Sequence, residues 1–259
     1  MTQPTPINTE QTHAPNDKTN DKTRDPNQNV SYTKPSDTNQ AFWQQRYQEQ
    51  ETPWNLDVVA PPFKHLISSY PAYFKGLNSM LPGVMPGKAL GGKALKVLPM
   101  MAVLGCGYGH DAAYFGQAGA AVTAFDFADE AIAAAKNRYN NFATFIQADI
   151  FALPENQEFN AQFDYVLEHT CFCAIDPTKR KAYVETVHFL LKPGGTFVGL
   201  IFFDTGSESE EGPPYASTQQ EIEALFMPQF TVQVLEIASH SVENRKNREL
   251  LCIFQKKPN

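Results

Sequence analysis

Residues 100–117 read MMAVLGCGYGHDAAYFGQ: an apolar run, three glycines at alternate positions, then a helical segment. A short continuous apolar run closed by glycine predicts a strand buried on both faces. Gly105, Gly107 and Gly109 let the backbone reach positive φ and let a ligand approach it closely. Strand, glycine turn and helix in that order form the first half of a parallel βα unit, and the pattern recurs downstream. Strands are predicted over 100–104, 121–125, 144–148, 163–167, 196–203, 231–237 and 250–255. Helices are predicted over 110–117, 129–139, 177–191 and 218–227, with Asp176 capping the third and Lys192-Pro-Gly-Gly195 ending it. Strands alternating with helices specify an α/β domain with a mostly parallel sheet, which binds ligands beyond the carboxyl ends of its strands.

Those strand ends carry the candidate site. The glycine spacing is G-x-G-x-G, whereas a dinucleotide loop has G-x-G-x-x-G with pyrophosphate at the helix start. Asp111 falls in the first helical turn, where it would compete with a phosphate. Asp126 closes the second strand 21 residues after Gly105, where an acid can accept both ribose hydroxyls. Its other reading is a cap for the helix beginning near Asp129. Phe127 can lie against an adenine face. After the third strand, Asp149 can accept the adenine amine while Ile150 packs on the ring. The three ends describe a site for an adenosine moiety without pyrophosphate, a description that S-adenosylmethionine fits, while Asp111 speaks against NAD(P).

Composition divides the chain. Residues 1–40 hold five members of the apolar set, Met1, Ile7, Ala14, Val30 and Tyr32. Ordering each residue costs roughly 1–2 kcal/mol, far more than five modest side chains return on burial. The segment is expected to be a disordered polar tail, leaving a domain over 41–259. No apolar run approaches the ~20 residues of a membrane span, and no secretory signal is expected. The net charge of −7 carries no basic footprint for nucleic acid. Cys106, Cys171, Cys173 and Cys252 form neither a disulfide framework nor a zinc pattern, so no metal is expected and reduced thiols in a cytoplasm are the plain reading.

Longer motifs make the reading specific. Phe42-Trp43 with Thr52-Pro53-Trp54, VLGCGYGHDAAYF (103–115), VTAFDFADEAI (122–132), EHTCFCAIDPTKR (168–180), LLKPGG (190–195) and EGPPYAST (211–218) together resemble the thiopurine S-methyltransferase family, including its thiol and halide methyltransferase branch. The resemblance spans roughly residues 42–250. It implies a Rossmann-like class I methyltransferase fold: a seven-stranded, mostly parallel sheet with helices on both faces and an antiparallel last strand. It implies S-adenosylmethionine as cofactor, a small-molecule acceptor and a monomer. By position, Trp43 and Trp54 would belong to a cover over the cofactor. Gly105 and Gly107 would approach its methionine part, Asp126 and Phe127 its ribose and adenine, Asp149 and Ile150 its adenine. His169 falls where the family places a residue touching the cofactor, and Pro213, Pro214 and Tyr215 would line the acceptor side. Val103 stands where most class I enzymes carry an acid, a departure this family shares.

Glu168 and His169, after the fourth strand, have two readings: a general-base pair, or cofactor positioning with loop hydrogen bonds, which is preferred. Cys171 and Cys173 are expected to share one face of an extended segment as small buried residues. The run Glu208–Glu211 reads as a solvated loop that would disfavour anionic acceptors if it bordered the entrance. Residues 76–93 read as a surface connection, and Arg245 and Arg248 as surface charges, the alternative being that one of them faces the acceptor pocket. A thiolate, selenide or halide needs little help from a base, so the reading favours methyl transfer to a soft nucleophile. Halide methylation, NAD(P) oxidoreduction and a non-catalytic cofactor-binding sensor are the alternatives.

Overall fold

A computed structural model describes residues 39–77, 97–204 and 212–258. Residues 1–38, most of the 76–93 connection and Glu208–Glu211 lie outside the described residues. The chain opens with α1 (Gln40–Gln48), capped by Asn39, whose side chain accepts from the Phe42 amide. The helix thus takes in Gln40, which sequence reasoning left in the tail. Next come α2 (Pro61–Ser69), β1 (Met100–Leu104), α3 (His110–Gln117), β2 (Ala121–Asp126), α4 (Asp129–Tyr139), β3 (Ala143–Gln147) and β4 (Phe163–His169). They are followed by α5 (Arg180–Leu190), β5 (Leu191–Phe202), α6 (Gln219–Phe226), β6 (Phe230–Ile237) and β7 (Glu249–Lys256).

The strands form one seven-stranded sheet in the order β3-β2-β1-β4-β5-β7-β6. All neighbours are parallel except β7, which is antiparallel to both β5 and β6. β1 is apolar at every position because both its faces are covered. Met101 and Val103 face a core made with α2, α3 and α4, while Ala102 and Leu104 face one made with α5 and α6. The second core is rich in phenylalanine: Phe197 stacks on Phe226 with centroids 4.8 Å apart, and Phe254 lies 5.1 Å from Phe226. Fully burying one such ring contributes roughly 1.5–3 kcal/mol.

Three local expectations need correction. The predicted 177–191 helix is a 3-10 turn (Pro177–Lys179) followed by α5, because the Asp176 carboxylate accepts from the Thr178 amide and tightens that first turn. The Lys192–Gly195 segment does not separate helix from strand. It is a bulge within β5, where Leu191 pairs with Phe163 and the register resumes at Thr196 opposite Tyr165. Cys171 and Cys173 do not lie on an extended segment. Thr170 sits at φ 57° and Phe172–Ala174 forms a 3-10 turn, held by the Phe172 amide donating to Glu168 Oε2 at 2.6 Å.

The chain runs outward through β1, β2 and β3, then returns to place β4 on the other side of β1. This reversal opens a crevice beyond the carboxyl ends of β1 and β4. No helix among the described residues is long and apolar enough to cross a membrane.

Candidate active site

The loop after β1 lies in the crevice. Gly105 and Gly107 have φ of 62° and 51°, a conformation that glycine adopts without strain. A Cβ on Gly105 would come within 2.8 Å of Cys171 Sγ, so the tips of β1 and β4 are in direct contact. A Cβ on Gly107 would stand 3.1 Å from the Tyr47 hydroxyl, which lies over the loop from α1.

Asp126 ends β2 and is 7% exposed. Its Oδ2 accepts from the Gly107 amide at 2.9 Å and its Oδ1 from the Ala128 amide at 3.0 Å. Burial raises its pKa, while the amides of Ala128, Gly107 and Phe127 oppose that rise. The cap position of α4 belongs to Ala128, not to Asp126. Each carboxylate oxygen spends one lone pair on the backbone and keeps another for an incoming hydroxyl. Phe127 is half-buried beside it. Asp149 is exposed, its Oδ1 accepting from the Phe151 amide at 2.9 Å, and Ile150 packs against the α5 core. A glycine cradle at positive φ, a buried carboxylate with free acceptor capacity, and a second acid two strand ends away together fit an adenosyl group.

Trp43 and Trp54 come together over this loop as part of one aromatic cluster. Trp54 meets Trp43 edge-on at 5.2 Å and Tyr47 at 5.7 Å, and its Nε1 donates to the Tyr47 hydroxyl at 3.3 Å. Tyr47 in turn meets Tyr108 of the glycine loop at 5.2 Å. Sequence reasoning missed Tyr47, although its spacing of four from Trp43 on one helix was a usable signal.

Glu168 and His169 are neighbours on β4 and therefore point to opposite faces. They do not form a hydrogen-bonded pair. Glu168 is wholly buried toward the α5 side. On that side it neighbours the buried Tyr183 hydroxyl, whose interaction lowers the Glu168 pKa and raises that of Tyr183. Burial pushes the Glu168 pKa up to about 7 against the lowering by the Phe172 amide and His169. His169 faces the cover. Its Nδ1 lies 2.7 Å from Asp111 Oδ2 and its Nε2 lies 3.0 Å from Arg245 Nη1. An arginine can only donate, so Nε2 accepts and the proton sits on Nδ1 toward Asp111. Burial lowers the His169 pKa, but Asp111, helped by Glu249 and opposed by Arg245, turns the net direction upward.

Asp111 lies in the first turn of α3, as the sequence places it; its Oδ1 accepts the Ala60 amide at 2.8 Å and its other oxygen takes His169. One sequence reading is overturned here. Arg245 is not a surface charge but is 6% exposed, and local pattern gave no sign of its distant partners. Arg248 is half-buried, its guanidinium 4.8 Å from the Phe202 ring centroid. Cys171 and Cys173 behave as small buried thiols: burial pushes both up, Cys173 to about 12, so neither is a ready thiolate.

Pro213 and Tyr215 are half-buried and Pro214 is exposed. The Tyr215 amide donates to the Cys173 carbonyl at 2.7 Å, docking this segment on the turn after β4. Arg180, buried in α5, fastens it: Nη2 donates to the Tyr215 and Ala216 carbonyls, both at 3.1 Å, and Nη1 to Glu221 at 2.7 Å. Among the described residues no cluster of three or more His, Cys, Asp or Glu could hold a metal ion.

Comparison with known proteins agrees with this geometry. A family model described as Thiopurine S-methyltransferase matches residues 38–257. Thiocyanate methyltransferase 1 of Brassica oleracea is 28% identical over 237 residues, covering 89% of this chain and 92% of its own. The protein of the same name from Arabidopsis thaliana is 29% identical over 220 residues, covering 83% and 84%. Among solved structures, the 1,6-didemethyltoxoflavin-N1-methyltransferase of Burkholderia thailandensis, with S-adenosylhomocysteine bound, superposes with a TM-score of 0.60 at 19% identity. It covers 85% of this chain and 87% of its own, and so shares the class I methyltransferase fold.

Proposed function

The chain belongs to the thiopurine S-methyltransferase family and is an S-adenosylmethionine-dependent methyltransferase, and from that premise we propose that it methylates a small soft nucleophile by in-line displacement. The acceptor class is a thiol, a thiopurine or a related sulfur or selenium compound. S-Adenosylmethionine, when bound, supplies a methyl group on a positive sulfonium sulfur. The chain's residues do the rest. Asp126 holds the ribose hydroxyls, and the Gly105–Gly107 loop admits the methionine part. Phe127, Asp149 and Ile150 border the adenine. Trp43, Trp54 and Tyr47 keep water out, while Pro213, Pro214 and Tyr215 frame the acceptor. Alignment of this kind is worth roughly 7–11 kcal/mol in well-oriented reactions.

The observation that carries the acceptor class is the engagement of both candidate bases. His169 has each ring nitrogen committed, to Asp111 and to Arg245. Glu168 is buried on the opposite face. An acceptor that arrives already nucleophilic suits such a site. Halide methylation is the second reading, favoured by relatives named for thiocyanate, an anion that, like a halide, brings no proton to remove. The NAD(P) reading gives way to the family match. The proposal extends to a cytoplasmic monomer without a nucleic-acid or membrane partner, supported by the net charge of −7 and the free cysteines.

A panel of thiopurines, aliphatic and aromatic thiols, bisulfide, iodide and reduced selenium or tellurium compounds, read by S-adenosylhomocysteine release, tests the acceptor class. Turnover with the sulfur or selenium acceptors is expected. Tight cofactor binding with no turnover on any member would make the protein a sensor, and turnover on iodide alone a halide enzyme. Asp126→Ala is expected to weaken S-adenosylhomocysteine binding by roughly 1.5–3 kcal/mol in calorimetry. Unchanged affinity would remove Asp126 from the ribose.

A further inference from the structure

We infer that Arg245 is a positioning residue for the cofactor: it does not touch the ligand but fastens the aromatic cover, through the Trp54 carbonyl and the His169 imidazole, onto the carboxyl end of the sheet. The inference rests on the methyltransferase reading and adds a residue to its machinery.

Arg245 ends a 3-10 turn, Glu243–Arg245, between β6 and β7. Its guanidinium is buried and multiply engaged. Nη2 donates to the Trp54 carbonyl at 2.6 Å, and Nη1 donates to His169 Nε2 at 3.0 Å and to Glu249 Oε1 at 3.4 Å. Trp54 continues the chain of contact through its indole to the Tyr47 hydroxyl, which stands over Gly107. A second fastening runs through the same imidazole. Asp111 takes His169 Nδ1 on one oxygen and the Ala60 amide on the other. Residues 54 and 60 bracket the last stretch of the cover, and both are tied to groups that meet at His169.

The arrangement is that of a clamp and not of an anion site. The groups facing His169 are Asp111 from α3, Arg245 from the turn, Glu249 from β7 at 3.9 Å and the Phe63 ring from α2. Asp111 and Glu249 already engage the imidazole and the guanidinium, so neither cation is left over to bind an anion. The fork geometry explains why the residue is arginine: one planar group must donate in two directions at once. Lifting the cover would strip the Trp54 carbonyl from a buried charge, and a buried charge without partners is strongly disfavoured. Cover and turn are therefore held as a unit.

The sequence supplies the probe. Its two tryptophans, Trp43 and Trp54, both lie in the cover, so intrinsic fluorescence reports on that element alone. Arg245→Met keeps length and removes the donors. In the ligand-free protein its tryptophan emission should shift to the red and become more accessible to acrylamide. Its affinity for S-adenosylhomocysteine should fall about tenfold or more, as expected for loss of a charge-assisted hydrogen bond. The KM for S-adenosylmethionine should rise, with kcat and the KM for the acceptor little changed. Arg245→Lys should recover part of the affinity, and Asp111→Asn, which breaks the second fastening, should loosen the cover in the same direction. Circular dichroism and a urea midpoint confirm that each variant is folded. Unchanged acrylamide quenching in folded Arg245→Met and Asp111→Asn would overturn the inference whether or not the protein binds cofactor. So would a raised KM for iodide alone, which would make Arg245 an acceptor residue. If wild-type protein bound no S-adenosylhomocysteine while quenching responded as stated, the clamp would stand and the methyltransferase reading would fall.

Discussion

Glu168 offers a quantitative test of the packing at the tip of β4. Its carboxyl is wholly buried, one oxygen accepts the Phe172 amide at 2.6 Å, and the Tyr183 hydroxyl is its other polar neighbour. Burial raises its pKa from 4.5 to about 7. The native state therefore keeps a proton between pH 4.5 and 7 that the unfolded chain has released. The associated stability is fully present below the unfolded pKa and is lost as pH rises through the folded one. Across the whole range the shift corresponds to about 3 kcal/mol, and between pH 6 and pH 8.5 to roughly 1 kcal/mol. Glu168→Gln removes the titration but keeps the shape. Its amide oxygen can accept from Phe172 and its amide nitrogen can meet the Tyr183 hydroxyl. Urea unfolding of both proteins at pH 6, 7, 8 and 8.5 isolates this group together with its coupling to His169, because titrations that do not feel Glu168 cancel in the difference. The stability of Glu168→Gln relative to wild type should rise by roughly 1 kcal/mol from pH 6 to pH 8.5. Parallel pH profiles for the two proteins would refute the reasoning, since they would mean that Glu168 is ionised in the native state with an ordinary pKa.

Two further perturbations follow from single positions. Gly109 (φ 82°) and Gly119 (φ 101°) both sit in the left-handed region, but a Cβ at Gly109 would meet the Phe145 ring at 2.8 Å while one at Gly119 meets nothing within 4 Å. Gly119→Ala should cost about 1–2 kcal/mol of strain and Gly109→Ala about 1–3 kcal/mol more, and equal losses in denaturant titrations would contradict the packing. Arg180→Met should raise the KM for the acceptor and destabilise the fold by about 2–4 kcal/mol while leaving S-adenosylhomocysteine affinity near wild type; a cofactor defect instead would dissociate Arg180 from the 212–217 segment.

Much of the architecture was legible because its signals are local. The apolar run of β1 and the periodicity of α3 and α4 placed those elements with the bounds they have in the structure. The same holds for the acid that ends β2. What escaped was set by specific side-chain hydrogen bonds, most of them between distant segments. The short 3-10 turn after β4 follows from Glu168 folding back on the Phe172 amide, which no periodicity announces. Arg245 reads as a surface charge because it lies in a polar stretch, yet its partners Trp54 and His169 are 191 and 76 residues away. Asp111 reads as a first-turn acid, which it is, and is also the acceptor that joins α2 to β4. For Arg245 and Asp111 the polar side chain is satisfied by distant segments, and sequence separation hides the partner.

The two residues at the tip of β4 show how one strand can serve both halves of a transfer reaction. Alternation sends His169 toward the cover, where it joins Asp111 and Arg245, and Glu168 toward α5, where it ties down the turn through Phe172. That turn presents Cys171 to Gly105 and offers the Cys173 carbonyl to Tyr215. The aromatic cover and the 212–217 segment are thus anchored on consecutive residues of a central strand, paired to β1 on one edge and β5 on the other. In-line displacement requires donor and acceptor atoms to approach within about 3–3.5 Å in a fixed direction. Anchoring both sides on adjacent positions leaves little backbone between them to flex. On this argument the identities of residues 168 and 169 matter less for proton transfer than for holding the two halves of the site at a constant separation.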